Sequence, residues 1–495
     1  MLPSSLGELI HLRYLDVSRS AIKTLPKSLC KLSHLQTLKL EDCSKLTMLP
    51  NGMCNLLNLR HLDIRGTHLK EMPKGMGKLG QLHILRYYVM GKQEDNGIQE
   101  LGGLLKLHGS FAIQKLENVT DANQARRAKI IDKKHIDELL LEWSWRDDMV
   151  SDIKIESHVL DSLQPHTGLK ELTIKGYKGI IFPNWLGHCS YQNMTNVSLK
   201  FCKNCGKLPS LRQLPSLKSL RIEGFQLKYI GDEFYKNEDH GTLHTVPFPS
   251  LETLYFGKMR YWEVWNLPGC SEAFPQLKKL EIRECPKLKE DMSALMAKII
   301  PHLTSLQEIR IDGFISTVSF PANCLPKSLQ KLEFWQCTRL SSLSLDAFPN
   351  LKDLSILWCS NLESISMSEP PHTALQSLTI SGCPKVVSIT GGLAAPNLIH
   401  LDRVVLPPNL VKLCMKGYEG LLRGLSSMAK LEALMIYGWG CGRVKSFPEV
   451  GSLPHLPSLT TLEINGFDNL ETLDCNELLR LSSLQHLHIS SCWKL

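Results

Sequence analysis

The spacing of apolar residues is the feature that most constrains how this 495-residue chain can fold. Segment 35–40 reads Leu-x-x-Leu-x-Leu, and segment 59–64 repeats it with a final Ile. Further copies begin at Leu217, Leu277, Leu329, Leu351, Leu375, Leu459 and Leu484. The clean copies lie about 22 to 25 residues apart, and we count roughly 17 to 19 units. So many copies in one register indicate a repeat architecture and not a set of separate globular domains.

The pattern within each copy predicts the shape of one repeat. Alternation of apolar and polar residues is typical of a strand with one buried face. No single repeat buries its leucines alone, so neighbouring repeats have to stack and complete the core. Leu-Pro pairs such as Leu25-Pro26 and Leu49-Pro50 follow the strands at a constant phase, and proline suits a segment outside the hydrogen-bonded ladder. We therefore predict an α/β solenoid, a leucine-rich-repeat horseshoe with a parallel β-sheet on the concave face and an irregular, short-helical convex side.

The array is not uniform along the chain. We predict regular repeats over 1–84, degenerate repeats with a helical insertion over 85–157, and further repeats over 158–495. An N-terminal Asp and several alanines favour a helix over 121–135, and polar composition predicts loops over 146–157 and 231–246. Glycine recurs just after the strands, where its free φ suits a turn; examples are Gly66, Gly176, Gly224, Gly313, Gly382, Gly417, Gly438 and Gly466. Both ends of the chain fall within repeat sequence, so we expect a fragment or a truncated gene product.

Sixteen cysteines require an explanation. Seven occupy the repeat position where Asn or Cys is expected, and they are Cys43, Cys202, Cys285, Cys337, Cys359, Cys383 and Cys492. A small side chain there can pack inward and bond weakly to the turning backbone. We predict reduced structural thiols and hence a cytoplasmic or nuclear location. Cys202 and Cys205 form a C-x-x-C pair whose alternative interpretations are zinc binding and redox chemistry, but zinc would need two further ligands at a matching spacing.

The sequence gives no sign of an enzyme. It lacks the serine-hydrolase elbow, the kinase loops and a complete phosphate loop. We therefore predict no catalytic residues, no metal and no cofactor in this chain. The formal net charge of +8 is too weak to indicate a nucleic-acid partner. No apolar stretch approaches the ~20 residues that a membrane-spanning helix needs, and the first residues do not resemble a signal peptide.

The side chains between the inward leucines are the candidate binding residues, because they line the concave face. Aromatic and Arg side chains are typical interface anchors. The candidates are Lys200, Arg221, Glu223, Tyr255, Arg283, Arg310, Glu333, Trp335, Trp358 and Tyr437. Trp335 and Trp358 lie one strand apart in nearly the same phase. Either they contact a partner or one or both pack into a neighbouring turn.

Several strings are more specific than a generic repeat. They include Leu-Arg-Tyr-Leu-Asp at 12–16, Leu-Arg-His-Leu-Asp-Ile at 59–64, Phe-Pro-Asn-Trp-Leu-Gly at 182–187 and Pro-Phe-Pro-Ser-Leu-Glu at 247–252. Through these strings the chain resembles one family in particular. That family is the plant coiled-coil nucleotide-binding leucine-rich-repeat disease-resistance proteins, and the similarity is to their repeat region. The resemblance is dense over residues 1–265 and looser beyond.

This resemblance implies an intracellular receptor arm that recognises a pathogen effector or a host protein that an effector modifies. It also implies that the repeats restrain an upstream nucleotide-binding switch, so the receptor's own nucleotide-binding domain is a further expected partner. ADP or ATP is expected only in that domain, and no residue of this chain matches it. One alternative is an extracellular leucine-rich-repeat receptor or inhibitor ectodomain, for which a signal peptide and Gly-x-Ile-Pro repeats would be expected. Another is an enzyme that selects substrates with its repeats, which would need a catalytic domain.

Overall fold

The backbone divides into two units, and the structure is a computed structural model. Unit 1 comprises Met1–Leu251 and Pro268–Phe274, and unit 2 comprises Glu252–Leu267 and Pro275–Leu495. The structure describes residues 2–93, 96–144, 153–231, 234–235, 246–265, 273–288, 303–314, 327–367, 374–386, 388–391, 406–416, 425, 428–438, 444–448 and 451–495.

Unit 1 contains two parallel sheets. The first has the order β1 (Tyr14–Asp16), β2 (Thr37–Lys39), β3 (His61–Asp63), β4 (Ile84–Leu85). The second has the order β5 (Tyr87–Val89), β6 (His108–Gln114), β7 (His135–Glu142), β8 (Glu171–Lys175), β9 (Asn196–Lys200), β10 (Ser219–Glu223). The unit also contains the short strand β11 (Tyr229–Ile230). Each strand pairs with the strand of the next repeat, which is the ladder that the leucine spacing predicts.

Unit 2 continues the same pattern in a parallel ladder of its own. Its order is β12 (Thr253–Gly257), β14 (Lys279–Arg283), β15 (Glu308–Asp312), β16 (Lys331–Trp335), β18 (Asp353–Leu357), β20 (Ser377–Ser381), β22 (Lys412–Lys416), β23 (Ala433–Tyr437), β25 (Thr461–Asn465), β27 (His486–Ser490). Short strands lie outside this ladder: β13 (Val264–Trp265), β17 (Ser342–Ser344), β19 (Ser364–Met367), β21 (Ser388–Gly391), β24 (Ser446–Phe447) and β26 (Thr472–Leu473).

Burial alternates along each ladder strand, as strand β16 illustrates. Leu332 and Phe334 are fully buried, whereas the side chains at the alternate positions, Lys331, Glu333 and Trp335, are half-buried. Full burial of one such apolar side chain contributes about 1.5–3 kcal/mol, and the in-register neighbours Ile309 and Leu354 supply the same contact on either side. The predicted leucine-rich-repeat solenoid is confirmed.

The return segments are short and helical, also as predicted. Pro26 and Pro50 are extended, with φ of −65° and −61°, and each precedes a 3-10 helix. The 3-10 helices in the described residues are Ser4–Glu8, Lys27–Lys31, Asn51–Asn55, Met76–Lys78, Ile98–Gly103, Leu116–Asn118, Ile130–Asp132 and Leu345–Ala347. A one-turn α-helix spans Cys475–Leu478.

The residue that turns the chain out of the strand has a positive φ in many repeats. Gly176 and Gly224 have a φ of 74° each, as the recurring glycines predict. Phe201 and Trp358 adopt the same left-handed conformation at 57°, so a side chain is tolerated there. Gly438 departs from the pattern, since it is not among the residues with a positive φ; there the ring of Phe467 fills the space that a Cβ would need. Position 417 lies outside the described residues.

The predicted helix over 121–135 is shorter than expected. Helix α1 spans Ala122–Arg127, and the Asp121 side chain caps it by accepting a hydrogen bond from the Asn123 N–H. Lys129 has a left-handed φ of 51°, which ends the helix. A 3-10 turn at Ile130–Asp132 then leads directly into β7.

The loop predicted over 146–157 is wrong for its last five positions. Helix α2 spans Ile153–Ser162 and buries Val159 and Leu160. The Glu156 carboxylate is also buried, and it accepts a hydrogen bond from the Lys178 N–H at 3.0 Å. These tertiary contacts outweigh the polar composition that favoured a loop, while 146–152 and most of the second loop lie outside the described residues.

One lysine in unit 1 is almost completely buried. Lys133 is 1% exposed, and its ammonium donates hydrogen bonds to the carbonyls of Leu101 at 2.6 Å and Leu104 at 2.9 Å. Leu101 lies in the last turn of the 3-10 helix Ile98–Gly103, and Leu104 directly follows that helix. Burial lowers the pKa of Lys133 to about 8.

The Lys133→Met substitution should change how stability depends on pH. A lysine has a pKa of about 10.4 in the unfolded chain, so between about pH 8 and pH 10.4 the unfolded state binds more protons than the folded state. The free energy of unfolding contributed by Lys133 therefore rises through this window, by at most about 1.4 kcal/mol per pH unit. Urea unfolding at pH 7, 8, 9 and 10 should show this rise in the wild type relative to Lys133→Met. Parallel pH profiles for the two proteins would contradict it.

Candidate binding surface

The outward side chains of the ladder strands form two surfaces, one in each unit. We define the unit 1 strand face as the outward side chains of β7–β10, and the unit 2 strand face as those of β12, β14–β16, β18, β20, β22, β23, β25 and β27. The parallel register places equivalent side chains of neighbouring strands about 4.8 Å apart. Charges at these positions therefore interact strongly with their neighbours.

The unit 1 strand face carries charges at the ends of its strands. The Arg221 guanidinium contacts the Glu223 carboxylate at 2.8 Å, and the Lys175 ammonium contacts Glu142 at 2.6 Å. Lys200 lies between them, paired in register with Lys175 on one side and Glu223 on the other. Burial, together with the positive charges of Arg221 and Lys175, lowers the pKa of Lys200.

The unit 2 strand face begins with a charged cluster beside an aromatic ring. The Glu281 carboxylate bridges Arg283 at 2.6 Å and Lys279 at 2.9 Å. Lys279 also contacts Glu308 on the next strand at 3.1 Å. The guanidinium carbon of Arg283 lies 5.7 Å from the ring centroid of Tyr255, within cation–π range.

The same cluster continues across the next two strands. Lys331 contacts Glu333 at 2.8 Å and Glu308 at 3.8 Å. Arg310 contacts Glu333 at 3.2 Å, and its guanidinium carbon lies 4.8 Å from the ring centroid of Trp335. The structure thus joins Tyr255, Arg283, Arg310, Glu333 and Trp335, five of the residues predicted from sequence, into one network.

The pKa values of this network follow from burial and pairing. Burial raises the pKa of Glu281, but hydrogen bonds and charge from Lys279 and Arg283 lower it overall. Burial raises the pKa of Asp312 despite the nearby guanidinium groups, and it raises that of Asp353. The face is therefore only partly solvated, which strengthens its electrostatic interactions.

The remaining aromatic candidates occupy different positions. Trp358 follows β18 and is 44% exposed, with its six-membered ring against Gly382 of the next repeat. It therefore packs on a neighbouring turn and still offers apolar surface. Tyr437 ends β23 and is half-buried beside Cys414, and burial raises the pKa of its phenol to about 12.

Two of the predicted exposed residues are buried. Glu223 is 5% exposed, because Arg221 of the same strand lies against its carboxylate. Tyr255 is 7% exposed, and its ring lies across Gly257, which has no side chain to hold it away. Both residues shape the strand faces more than they offer contact area.

Sequence reasoning missed four members of the charged network. Lys279, Glu281, Glu308 and Lys331 were not singled out, although they occupy the same alternating positions as Arg310 and Glu333. The register of the repeats contained the signal, because it aligns Glu281 with Arg310 and Arg310 with Glu333. Comparing the charges at equivalent strand positions of successive repeats identifies these four residues.

Six of the seven cysteines at the repeat position are buried as predicted, whereas Cys492 is half-buried. Cys337 and Cys383 are buried and donate weak hydrogen bonds to the carbonyls of Trp335 and Ser381, at 3.4 and 3.5 Å. In the C-x-x-C pair, Cys205 donates to the Gly179 carbonyl at 3.1 Å, and burial raises the pKa of Cys202 to about 12. These contacts support the structural interpretation, since a reactive thiol needs a lowered pKa.

Two further properties concern only the part of the chain that the structure describes. No group of three or more His, Cys, Asp or Glu side chains there is arranged to hold a metal ion. No helix among those residues combines the length and apolar character that crossing a membrane requires.

Known sequences resemble this chain over much of its length. A family model described as R13L1/DRL21 LRRs matches residues 98–225. The chain is 39% identical over 417 residues to "Putative disease resistance RPP13-like protein 1" of Arabidopsis thaliana, covering 77% of this chain and 39% of that protein. It is 43% identical over 343 residues to "Putative disease resistance protein At3g14460" of the same plant, covering 67% and 23%. It is also 32% identical over 378 residues to "Putative disease resistance protein RGA1" of Solanum bulbocastanum, covering 74% and 36%.

The chain thus spans less than half the length of each of these relatives. Among solved structures, the TLR13–ssRNA13 complex aligns over 97% of this chain and 72% of that chain, at 16% identity and a TM-score of 0.44. The Leptospira interrogans LRR protein LIC12759 aligns over 99% and 93%, at 16% identity and a TM-score of 0.32.

A double-mutant cycle should detect the network on the unit 2 strand face. We expect Arg310→Met and Glu333→Gln each to lower the free energy of unfolding, because each leaves a half-buried charge with fewer partners. Together they should cost less than the sum, with a coupling of about 0.5–3 kcal/mol in urea unfolding. The exposed pair Lys445–Glu471 is the control, with 73% and 48% of its side chains exposed; its coupling should stay below about 1 kcal/mol. Equal coupling in both pairs would contradict the network.

Proposed function

The chain is a leucine-rich-repeat region of the kind found in plant disease-resistance proteins, and from that premise we propose that its strand faces are the protein-recognition surface of an intracellular plant immune receptor. The expected partner is a pathogen effector or a host protein that an effector has modified. The network of charged and aromatic side chains on the unit 2 strand face is the observation that carries this proposal.

That network has the properties of a protein-binding surface. Tryptophan and arginine are enriched among the residues that dominate binding energy, and Arg310 lies over the ring of Trp335 in this network. The apolar residues beneath are fully buried, so the backbone that carries these side chains is fixed. A fixed surface loses little conformational entropy when a partner binds.

The proposal extends to regulation and location. In the full-length receptor we expect the repeats to restrain a nucleotide-binding switch until the partner binds, with the nucleotide-binding domain as a second contact. ADP or ATP would be bound by that domain and not by this chain. If effectors are recognised inside the cell, we expect the protein in the cytoplasm or nucleus. We assign no catalytic step to the strand faces, and their role is binding.

Two tryptophan substitutions test the proposal. Trp358→Ala removes exposed aromatic area beside the unit 2 strand face, whereas Trp493→Ala removes a residue that is 83% exposed near the end of the chain. The tagged chain and both variants would be used to capture proteins from leaf extracts of infected and mock-treated plants. Quantitative mass spectrometry would then identify proteins retained only after infection, and binding of the purified candidate would be measured directly.

We expect Trp358→Ala to weaken binding of that candidate by about 10-fold or more, since loss of an anchor commonly costs 2 kcal/mol or more. Trp493→Ala should bind like the wild type. Equal binding by both variants, with both folded by circular dichroism, would argue against recognition by the unit 2 strand face.

A further inference from the structure

One cation on the unit 1 strand face lacks a partner. The half-buried Lys and Arg side chains described on β7–β10 are Lys175, Lys200 and Arg221, and of these three Lys200 alone has neither a hydrogen bond nor an ion pair. Its neighbours are arranged differently: Lys175 is held by Glu142, and Arg221 is held by Glu223. Lys175, Lys200 and Arg221 lie on the adjacent strands β8, β9 and β10, so they differ in pairing although they share one part of the face.

The nearby carboxylates are already engaged. One oxygen of Glu142 accepts from Lys175, and the other accepts from the Gln114 amide at 2.9 Å. The same Oε2 atom of Glu223 accepts two hydrogen bonds from Arg221, at 2.8 and 3.1 Å. Lys200 therefore adds one uncompensated positive charge to this end of the strands. A half-buried charge without a partner is costly, and an added carboxylate would remove part of that cost.

The opposite end of the same strands carries the opposite charge. Glu138 and Glu171 are paired in register on β7 and β8. Burial and the charge of Glu138 raise the pKa of Glu171, whose carboxylate accepts a hydrogen bond from Asn196 at 2.9 Å. The nearby Lys170 forms its ion pair with Asp137, at 2.9 Å. Within the described residues, neither Glu138 nor Glu171 forms an ion pair with a Lys or Arg side chain.

The distance between the two ends is fixed by the strands. Lys175 lies four positions after Glu171 on β8, and Lys200 is the in-register neighbour of Lys175. Four residues of strand span about 13 Å. The unit 1 strand face is therefore negative at Glu138 of β7 and Glu171 of β8 and positive at the end of β9.

We propose that the unit 1 strand face binds a protein segment that places a carboxylate against Lys200 and a basic side chain against Glu138 and Glu171, about 13 Å away. The inference rests on the proposed function, because it specifies the chemistry of the partner. A polyanion such as nucleic acid is disfavoured, since the face also carries the carboxylates of Glu142 and Glu223 near Lys200 and those of Glu138 and Glu171 at its other end. Charge complementarity of this kind chiefly determines which partner is selected.

The test observes Lys200 directly and needs no identified partner. Reductive ¹³C-dimethylation keeps lysines charged and gives each an NMR signal, and Lys200→Arg assigns the signal of Lys200. The probe is the capped peptide Lys-Ser-Thr-Ser-Glu, whose charges are four residues apart, and the matched control carries Gln in place of Glu. Inorganic phosphate is a third arm. Lys412, an exposed lysine on β22, is the internal reference.

We expect the Glu peptide to shift the Lys200 signal at concentrations at least about 10-fold lower than the Gln peptide, with little change at Lys412. Glu171→Lys should weaken this binding about 3-fold to 10-fold, and the matched substitution Glu463→Lys on β25 should leave it unchanged. Equal shifts by the Glu and Gln peptides, equal shifts at Lys200 and Lys412, or a stronger response to phosphate than to the Glu peptide would each overturn the proposal. The capture experiment with Trp358→Ala concerns the unit 2 strand face, so the proposed function can fail or succeed independently of this result.

Discussion

Burial of two apolar side chains per strand against the next repeat is the interaction on which each unit depends. Leu332 and Phe334 have no exposed surface, and their in-register neighbours on β15 and β18 are equally buried. Because no repeat completes this contact alone, stability comes from the interfaces between neighbours. The same contact fixes the register, since a slip by one residue would bring charged side chains into the core. The outward positions are therefore set by the core and not by their own sequence.

This arrangement leaves the outward side chains free to vary but close together. Equivalent positions lie about 4.8 Å apart, so charges on adjacent strands either pair or repel. On the unit 2 strand face they pair, and Glu308 is shared between Lys279 and Lys331. On the unit 1 strand face only some of them pair, as Lys175 does with Glu142 and Arg221 with Glu223. Among the described residues, Glu138 and Glu171 at one end and Lys200 at the other form no ion pair. The core thus imposes the spacing, while the outward residues determine which partner can bind.

The sequence predicted the ladder, the proline-led return segments and the inward cysteines, because each follows from a pattern that repeats. It did not predict α2, since the contact of Glu156 with the Lys178 N–H is tertiary and local composition favours a loop. It also placed Glu223 and Tyr255 on the surface, where side-chain contacts with Arg221 and Gly257 bury them. Periodicity reveals which face a residue occupies, but burial on that face depends on the size and charge of neighbours that lie one repeat away.

Two lysines of unit 1 have a lowered pKa for the same reason but differ in their hydrogen bonds. Burial lowers the pKa of both Lys133 and Lys200. Lys133 donates to two carbonyls at the end of a 3-10 helix, so its hydrogen bonds are satisfied within the chain. Lys200 has no such partner among the described residues, and the acids beside it are held by Lys175 and Arg221. The ammonium of Lys133 already donates its hydrogen bonds within the chain, whereas the ammonium of Lys200 can still donate to another molecule. This difference in hydrogen bonding, rather than the pKa, separates a structural lysine from a candidate for recognition.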